Sequence, residues 1–136
     1  MASIQKDFLI KASPGHVWSA IRDFGAVHQR LAREFVVDTR LEGSTRIVTF
    51  SNGMIVRELL VDIDDDSRRL VYSVVPDRLT HHNASMQVFA EGEEQARLLW
   101  IADLLPNDLA PTIASMMEEG TTAIKRTLEQ EHLPTP

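Results

Sequence analysis

His82 is the side chain whose setting in the sequence points most directly to chemistry. It belongs to the segment Leu79–Phe89, in which the even positions include Ala84, Met86 and Val88 and the odd positions are mostly polar. This alternation predicts a strand with its even face turned to the interior. An imidazole on such a face can donate a hydrogen bond to a ligand oxygen or exchange a proton near neutral pH. The alternative is a structural histidine, hydrogen-bonded in the core or at its rim.

Glu58 is the second candidate for proton transfer, because a carboxylate in an apolar wall can act as a general acid or base. It shares one face of the predicted strand Met54–Ile63 with Val56 and Leu60, whereas the opposite face carries residues such as Ile55 that are equally apolar. The alternation therefore does not decide whether Glu58 turns inward or outward.

The other histidines and the acidic cluster predict no metal site. His81 and His82 point to opposite sides of a strand, and His16 and His28 lack a second ligand at helical spacing. The run Asp64–Asp66 lacks the alternating ligands, central glycine and distal glutamate of a calcium loop, so it reads as a solvated turn. The sequence contains no cysteine, nucleotide-binding glycine loop or serine nucleophile motif. We therefore expect neither a metal nor a cofactor.

Length and charge narrow the class of protein further. The 136 residues are 43% apolar and fit a single domain spanning residues 1–136. No run approaches the ~18 consecutive apolar residues of a membrane span, and the first residues lack the zones of a signal peptide, so the cytoplasm is the expected compartment. With 20 acidic against 14 basic residues, the chain is a poor match for nucleic acid or anionic membranes. The composition is compatible with a small neutral or apolar ligand as the partner, and with a homodimer.

The order of elements predicts an α+β fold. A first strand precedes two short helices, one from Ser13-Pro14 to Gly25 and one around Val27 and Leu31. Six strands joined by short polar turns follow, at Phe35–Leu41, Thr45–Phe50, Met54–Ile63, Leu70–Val75, Leu79–Phe89 and Ala96–Leu105. Their spacing is typical of an antiparallel meander.

A long C-terminal helix closes the chain and is the one long element available to cover the sheet. Its apolar residues lie three or four apart, at Ile113, Met116, Met117, Gly120, Ile124 and Leu128. If a curved sheet wraps around this helix, a ligand cavity is left between them. Phe50, Met86 and Trp100 would line it, although such residues are also common in ordinary cores.

Several short motifs resemble those of the START-like, helix-grip superfamily. They are Ala12–Trp18, Asp23–Gly25, Gly43–Arg46, Glu58–Leu60 and Asp64-Asp65. The superfamily includes birch-pollen allergen relatives, bacterial polyketide cyclase/dehydrase and lipid-transport domains, and plant abscisic acid receptors. The resemblance covers nearly the whole chain and implies a curved seven-stranded antiparallel sheet wrapped around the C-terminal helix.

The segment Arg57–Ser85 is similar to the corresponding run of abscisic acid receptors, in which the part resembling Asp77–Leu79 is the latch loop. The chain departs from the receptors at the gate. It has only Ser51–Gly53 where the receptors carry a longer loop with proline, so hormone reception through a phosphatase partner is not expected.

The resemblance also implies that Arg46, Glu58 and His82 face the cavity, which turns Glu58 inward. A buried arginine and carboxylate must pair or keep water. Such a pair could orient a ligand's carboxylate or hydroxyl, or it could be purely structural. The expected ligand-binding residues are Arg46, Val48, Phe50, Val56, Glu58, Leu60, His82, Ala84, Met86, Trp100, Ile113, Met116 and Met117, with Glu58 and His82 as catalytic candidates.

The sequence thus favours binding or transport of a small hydrophobic or amphipathic ligand, such as a lipid, a polyketide-like compound or an isoprenoid. The first alternative is a cyclase or dehydratase that uses Glu58 or His82 for proton transfer in the same cavity. The second is a protein-interaction module, which a filled interior without a cavity would favour.

Overall fold

In residues 2–75 and 81–130, the part of the chain that the computed structural model describes, seven strands form one antiparallel sheet. The strand order is β1-β7-β6-β5-β4-β3-β2, so every neighbouring pair except β1 and β7 is consecutive in the chain. The strands are β1 (Ala2–Ile10), β2 (Val36–Glu42), β3 (Thr45–Phe50), β4 (Ile55–Asp64), β5 (Arg69–Val75), β6 (His81–Ala90) and β7 (Ala96–Leu105). Their bounds closely match the predicted ones, and the predicted α+β helix-grip fold is confirmed.

Two helical segments follow β1, as predicted. Helix α1 (Pro14–Arg22) begins at Ser13, whose hydroxyl accepts a hydrogen bond from the His16 N–H at 3.3 Å. A single π-helical turn spans Val27–Leu31. The predicted stop at Gly25 is wrong, because α1 already ends at Arg22.

Gly25 matters instead for close packing against β2. A Cβ atom at this position would lie 2.8 Å from Cδ1 of Leu41, well inside van der Waals contact. The absence of a side chain lets the segment after α1 approach the sheet. Phe24, the residue before Gly25, is 8% exposed and packs in the hydrophobic core.

A β-bulge in β4 changes which of its side chains face the interior. Leu60 and Asp62 pair with consecutive residues of β5, which leaves Val61 as the extra residue. A strict alternation from Glu58 would place Asp62 inside, but after the bulge Asp62 is exposed and Ile63 packs against the core. The bulge also bends the strand, which helps the sheet to curve around the helix.

Helix α2 (Ala110–Gln130) crosses the concave face of the sheet, and its two halves differ. In the C-terminal half, Ile124 and Leu128 are 2% and 0% exposed and belong to the closed core. In the N-terminal half, Ile113 and Met116 are only partly buried. The interior is therefore filled at one end of the helix and open at the other.

The turn between β4 and β5 is tied to α1. One carboxylate oxygen of Asp65, Oδ1, accepts hydrogen bonds from Trp18 Nε1 at 2.9 Å and from Arg22 Nε at 2.8 Å. These two donors, Trp18 first, lower the pKa of Asp65 below its ordinary value. The acidic run around Asp65 therefore anchors α1 to the sheet.

The segment before β2 is fixed to α2 by a buried threonine. Thr127 is 1% exposed, and its Oγ1 accepts a hydrogen bond from the Arg33 N–H at 3.0 Å. This contact holds the neighbouring Phe35 beside the helix. The position of Phe35 matters because its ring lines the interior, as described below.

Replacing Thr127 by Val keeps the shape of the side chain but removes the acceptor of the Arg33 N–H. The variant should be about 1 kcal/mol less stable than the wild type, the usual net value of such a hydrogen bond. Thr122→Val makes the same change at an exposed position of α2 and should cost clearly less. Urea unfolding of the three proteins measures the difference, and equal losses in both variants would refute the role given to Thr127.

Candidate functional site: a two-part cavity under the C-terminal helix

An apolar cavity of about 130 Å³, here called the outer cavity, lies between the sheet and the N-terminal half of α2. Its lining residues are Phe35, Phe50, Met54, Val56, Glu58, Tyr72, Val74, His82, Trp100, Ala102, Ile113, Met116 and Met117. Met54, which follows the β3–β4 turn, is 44% exposed. The cavity therefore reaches the surface beside this turn.

A second cavity of about 50 Å³, here called the inner cavity, extends towards the closed core. Phe35, Phe50, Glu58, Tyr72 and Trp100 line both cavities and so lie between them. The other lining residues of the inner cavity are Val27, Leu31, Ala32, Val36, Arg46, Val48, Met86, Gly120 and Ile124.

In β6 and β7, the alternation of buried and less buried residues shows which side chains face the interior. In β6 the buried residues are Ala84, Met86 and Val88, which confirms the predicted even face. In β7 they include Leu98, Trp100, Ala102 and Leu104, the face that the sequence also favoured. The register pairs Met86 with Trp100, so the two side chains lie next to each other on the inner surface.

The ion pair of Arg46 and Glu58 is the polar centre of the site. Strands β3 and β4 place the two residues directly opposite each other, and Arg46 Nε donates to Glu58 Oε1 at 2.7 Å. Their side chains are only 6% and 10% exposed. The guanidinium also lies 4.1 Å from the ring centre of Phe24 and 5.0 Å from that of Tyr72. The implied inward direction of Glu58 is confirmed.

Tyr72 and Trp100 form a second polar contact in the same wall. Trp100 Nε1 donates to the Tyr72 hydroxyl oxygen at 3.2 Å. Burial, assisted by the negative charge of Glu58, raises the pKa of Tyr72 well above its ordinary value. The phenol therefore keeps its proton and can donate a hydrogen bond near the junction of the two cavities.

His82 supplies a further hydrogen-bonding group to the outer cavity. Its Nδ1 atom is buried and has no hydrogen-bond partner within the described residues. Burial, with a smaller contribution from the positive charge of His81, lowers the pKa of His82. The imidazole is therefore neutral at neutral pH, while His81 is exposed on the opposite face of β6.

The structure brings most of the predicted binding residues to the two cavities. Phe50, Val56, Glu58, His82, Trp100, Ile113, Met116 and Met117 line the outer one, and Arg46, Val48 and Met86 line the inner one. Leu60 and Ala84, which were also predicted, face the interior but line neither cavity. Leu60 lies next to the bulge and packs against the core, and the short Ala84 side chain is flanked across the strands by Tyr72.

Several lining residues were not predicted from the sequence, most importantly Tyr72, Val74 and Phe35. Strand β5 is apolar on both faces, since Val71 on the outer face is also only 7% exposed, and alternation therefore gave no direction for Tyr72. Phe35 precedes β2 and faces Phe50 edge-on, with ring centres 5.2 Å apart. The sequence predicted Phe35 as the first residue of a strand, whereas β2 begins at Val36, so alternation along the strand did not give the direction of the Phe35 ring.

Of the two segments that correspond to the gate and latch loops of abscisic acid receptors, only the first is described. At Ser51–Gly53 the chain makes a tight turn in which Asn52 Oδ1 accepts from the Met54 N–H at 3.0 Å and Gly53 has a φ of +90°. The latch-like segment Asp77–Leu79 and the loop at Pro76-Asp77 lie outside the described residues. In residues 2–75 and 81–130, no three potential metal ligands come together and no helix could span a membrane.

Residues 1–129 match the family model described as polyketide cyclase/dehydrase and lipid transport. The chain belongs to this family. The resemblance to the START-like superfamily is thereby confirmed. Comparison with curated proteins finds no match.

Three solved structures illustrate the likeness. The di-domain ARO/CYC protein BexL from the BE-7585A biosynthetic pathway is similar at a TM-score of 0.84 and 12% identity, over 98% of this chain and 48% of that one. Norcoclaurine synthase from Thalictrum flavum has a TM-score of 0.76 and 15% identity, over 97% of this chain and 96% of that one. A START superfamily protein from Mycobacterium smegmatis has a TM-score of 0.72 and 14% identity, over 95% of both chains. At these identities the likeness establishes the fold.

Replacing Glu58 alone by Leu should cost about 3–5 kcal/mol of stability, because it leaves the charge of Arg46 buried without its partner. The double variant Arg46→Met/Glu58→Leu should recover most of this loss in urea unfolding. The exposed pair of Arg57 and Glu42, at 2.8 Å, is the control, and Glu42→Leu should cost less than about 1 kcal/mol. Similar losses for Glu58→Leu and Glu42→Leu would contradict the burial of the inner pair.

Acid should destabilise the protein partly through His82. Its lowered pKa means that the unfolded chain binds the proton more readily, so stability falls as pH drops through the ordinary value of 6.5. His82→Gln should therefore lose less stability than the wild type between about pH 7 and about pH 5 in urea unfolding. His81→Gln, changed on the exposed face, should keep most of the wild-type loss, and identical pH profiles for wild type and His82→Gln would rule the effect out.

Proposed function

We propose that this protein binds a small hydrophobic or amphipathic ligand in the outer and inner cavities. The observation that carries the proposal is an apolar cavity with a few polar residues in its wall, Glu58, Tyr72 and His82. Ligand sites in proteins commonly combine an apolar wall with a few convergent polar groups. Membership of a family of polyketide cyclases/dehydrases and lipid-transport proteins supports the same conclusion.

The size of the cavity supports a compact buried part of the ligand. An apolar cavity of about 150 Å³ is enough to hold a benzene molecule, and the outer cavity is of similar volume at about 130 Å³. One ring or a short chain of a polyketide-like, isoprenoid or lipid compound therefore fits inside. Each Å² of apolar surface that the ligand buries contributes roughly 25 cal/mol before the costs of association.

The polar groups would select the polar end of the ligand. Tyr72 keeps its proton and offers a donor, whereas Glu58 has a second oxygen besides the one that pairs with Arg46. The neutral imidazole of His82, on β6, offers a further acceptor or donor. A hydroxyl or carbonyl group matches these partners, and a buried polar group left without a partner would weaken binding.

A cyclase or dehydratase that uses the same cavity is the second candidate. The observation that favours it is the His82 imidazole, which lines the outer cavity and whose lowered pKa leaves one ring nitrogen unprotonated at neutral pH. Such a nitrogen can accept a proton from a ligand carbon or oxygen. Glu58 is less suited to this role, because its Oε1 is engaged by Arg46.

The third class, a protein-interaction module, has less support. A filled interior would favour it, whereas the outer cavity leaves space beside α2. Cytoplasmic location, a single domain and association into a homodimer stay predictions from the sequence.

Ligand binding is tested by calorimetry with geraniol, 1-naphthol and decanoate as probes, beside native mass spectrometry of protein purified from its own cells. We expect at least one probe to bind the wild type and a retained small molecule to appear in the mass spectrum. Ile113→Phe, which enlarges a side chain in the wall of the outer cavity, should weaken binding by about tenfold or more. Ser115→Phe adds the same ring on the exposed face of α2 and should leave binding unchanged.

A protein that is always empty and binds none of the probes would overturn the proposal. Once a ligand is known, an assay for product formation distinguishes a carrier from a cyclase or dehydratase. In an enzyme, replacing the residue that transfers the proton should abolish product formation, and we expect this of His82→Ala rather than of Glu58→Gln. A carrier would show changed affinity and no product with any variant.

A further inference from the structure

Trp100 stands between the two cavities, and its indole ring is held at opposite edges. On the sheet side, Nε1 donates to the Tyr72 hydroxyl at 3.2 Å. On the helix side, the far ring atoms Cη2 and Cζ3 lie against α2 at Gly120. The ring therefore reaches from strand β7 to the helix across the space that the sheet leaves open.

Gly120 makes this arrangement fit. A Cβ atom at position 120 would lie 3.0 Å from Cη2 and Cζ3 of Trp100 and 3.2 Å from Cε2 of Phe35. These distances are too short for unstrained carbon contacts, so the two rings would have to move. Glycine is a poor helix former in the middle of a helix, and its presence here is explained by the space that Trp100 and Phe35 occupy.

We infer that Trp100, held between Tyr72 and Gly120, is a partition that limits how deeply a ligand chain enters and so sets the chain length that the protein accepts. This inference rests on the proposed function. A short chain fills the outer cavity. A longer one reaches the inner cavity only if the indole ring moves, which breaks its hydrogen bond to Tyr72 and has no room on the side of Gly120.

Carboxylates with straight alkyl chains are suitable probes, because the charge of Glu58 inside the cavity opposes the burial of a second carboxylate. The charged head therefore stays at the mouth beside Met54, and the chain tip leads towards Trp100. Each additional methylene buried in the outer cavity should strengthen binding about fourfold. Once the tip meets the indole ring, further methylenes should add nothing.

The experiment is an NMR titration of the wild type at neutral pH with carboxylates from about four to about ten carbons, which gives both the affinity and the Trp100 indole N–H signal. Affinity should rise and then level off, and the indole signal should shift at the length where it does so. In Gly120→Ala the affinity should level off at a shorter chain, because the Trp100 and Phe35 rings are displaced. In Tyr72→Phe it should continue to rise beyond the wild-type limit, because the indole has lost its acceptor.

Thr122→Ala is the matched control for Gly120→Ala. It raises helix propensity in α2 at an exposed position and should leave both the limiting length and the free-protein indole signal unchanged. An identical limiting length in the wild type, Gly120→Ala and Tyr72→Phe would overturn the inference while leaving ligand binding intact. Absence of binding to every form would overturn the proposed function and the length limit together.

Discussion

The buried pair of Arg46 and Glu58 is the constraint around which the interior is organised. Two charges with so little access to water are stable only when they pair and when their remaining hydrogen-bonding capacity is met. Strands β3 and β4 meet the first requirement by placing the residues directly opposite each other, and the Phe24 carbonyl and the rings of Phe24 and Tyr72 contribute to the second. The polar centre of the cavity is therefore fixed by the sheet itself and does not depend on a mobile loop.

Turn chemistry and alternation predicted the order of elements and an antiparallel meander, and the resemblance to the START-like superfamily implied that the sheet wraps around the C-terminal helix. Short polar turns separated the strands, and β6 alternates so strictly that the direction of His82 followed from its neighbours. The direction of Glu58 did not, because both faces of β4 are apolar, and it depended on the likeness to relatives. The bulge at Val61 was hidden for the same reason: in an apolar run, one extra residue leaves no trace in the pattern.

The site was less predictable than the fold because its shape depends on contacts between distant residues. Alternation indicated that Trp100 faces inward, but not that its indole reaches Gly120 on the helix, since that contact is set by the gap between sheet and helix. Tyr72 lies on a strand that is apolar on both faces, and Phe35 lies in a connecting segment held by Thr127. Such residues can be identified as cavity-lining residues only after the helix and the strands have been packed together.

The two halves of helix α2 differ in what they contact. Its later turns are enclosed by the core and maintain the architecture, whereas its first turns cover the cavity and remain partly accessible to solvent. Substitutions in the first turns can reshape the pocket at little cost to the rest of the molecule. A solved structure that shares only 12% identity with this chain has the same fold, so the architecture is compatible with wide changes in the side chains of the wall.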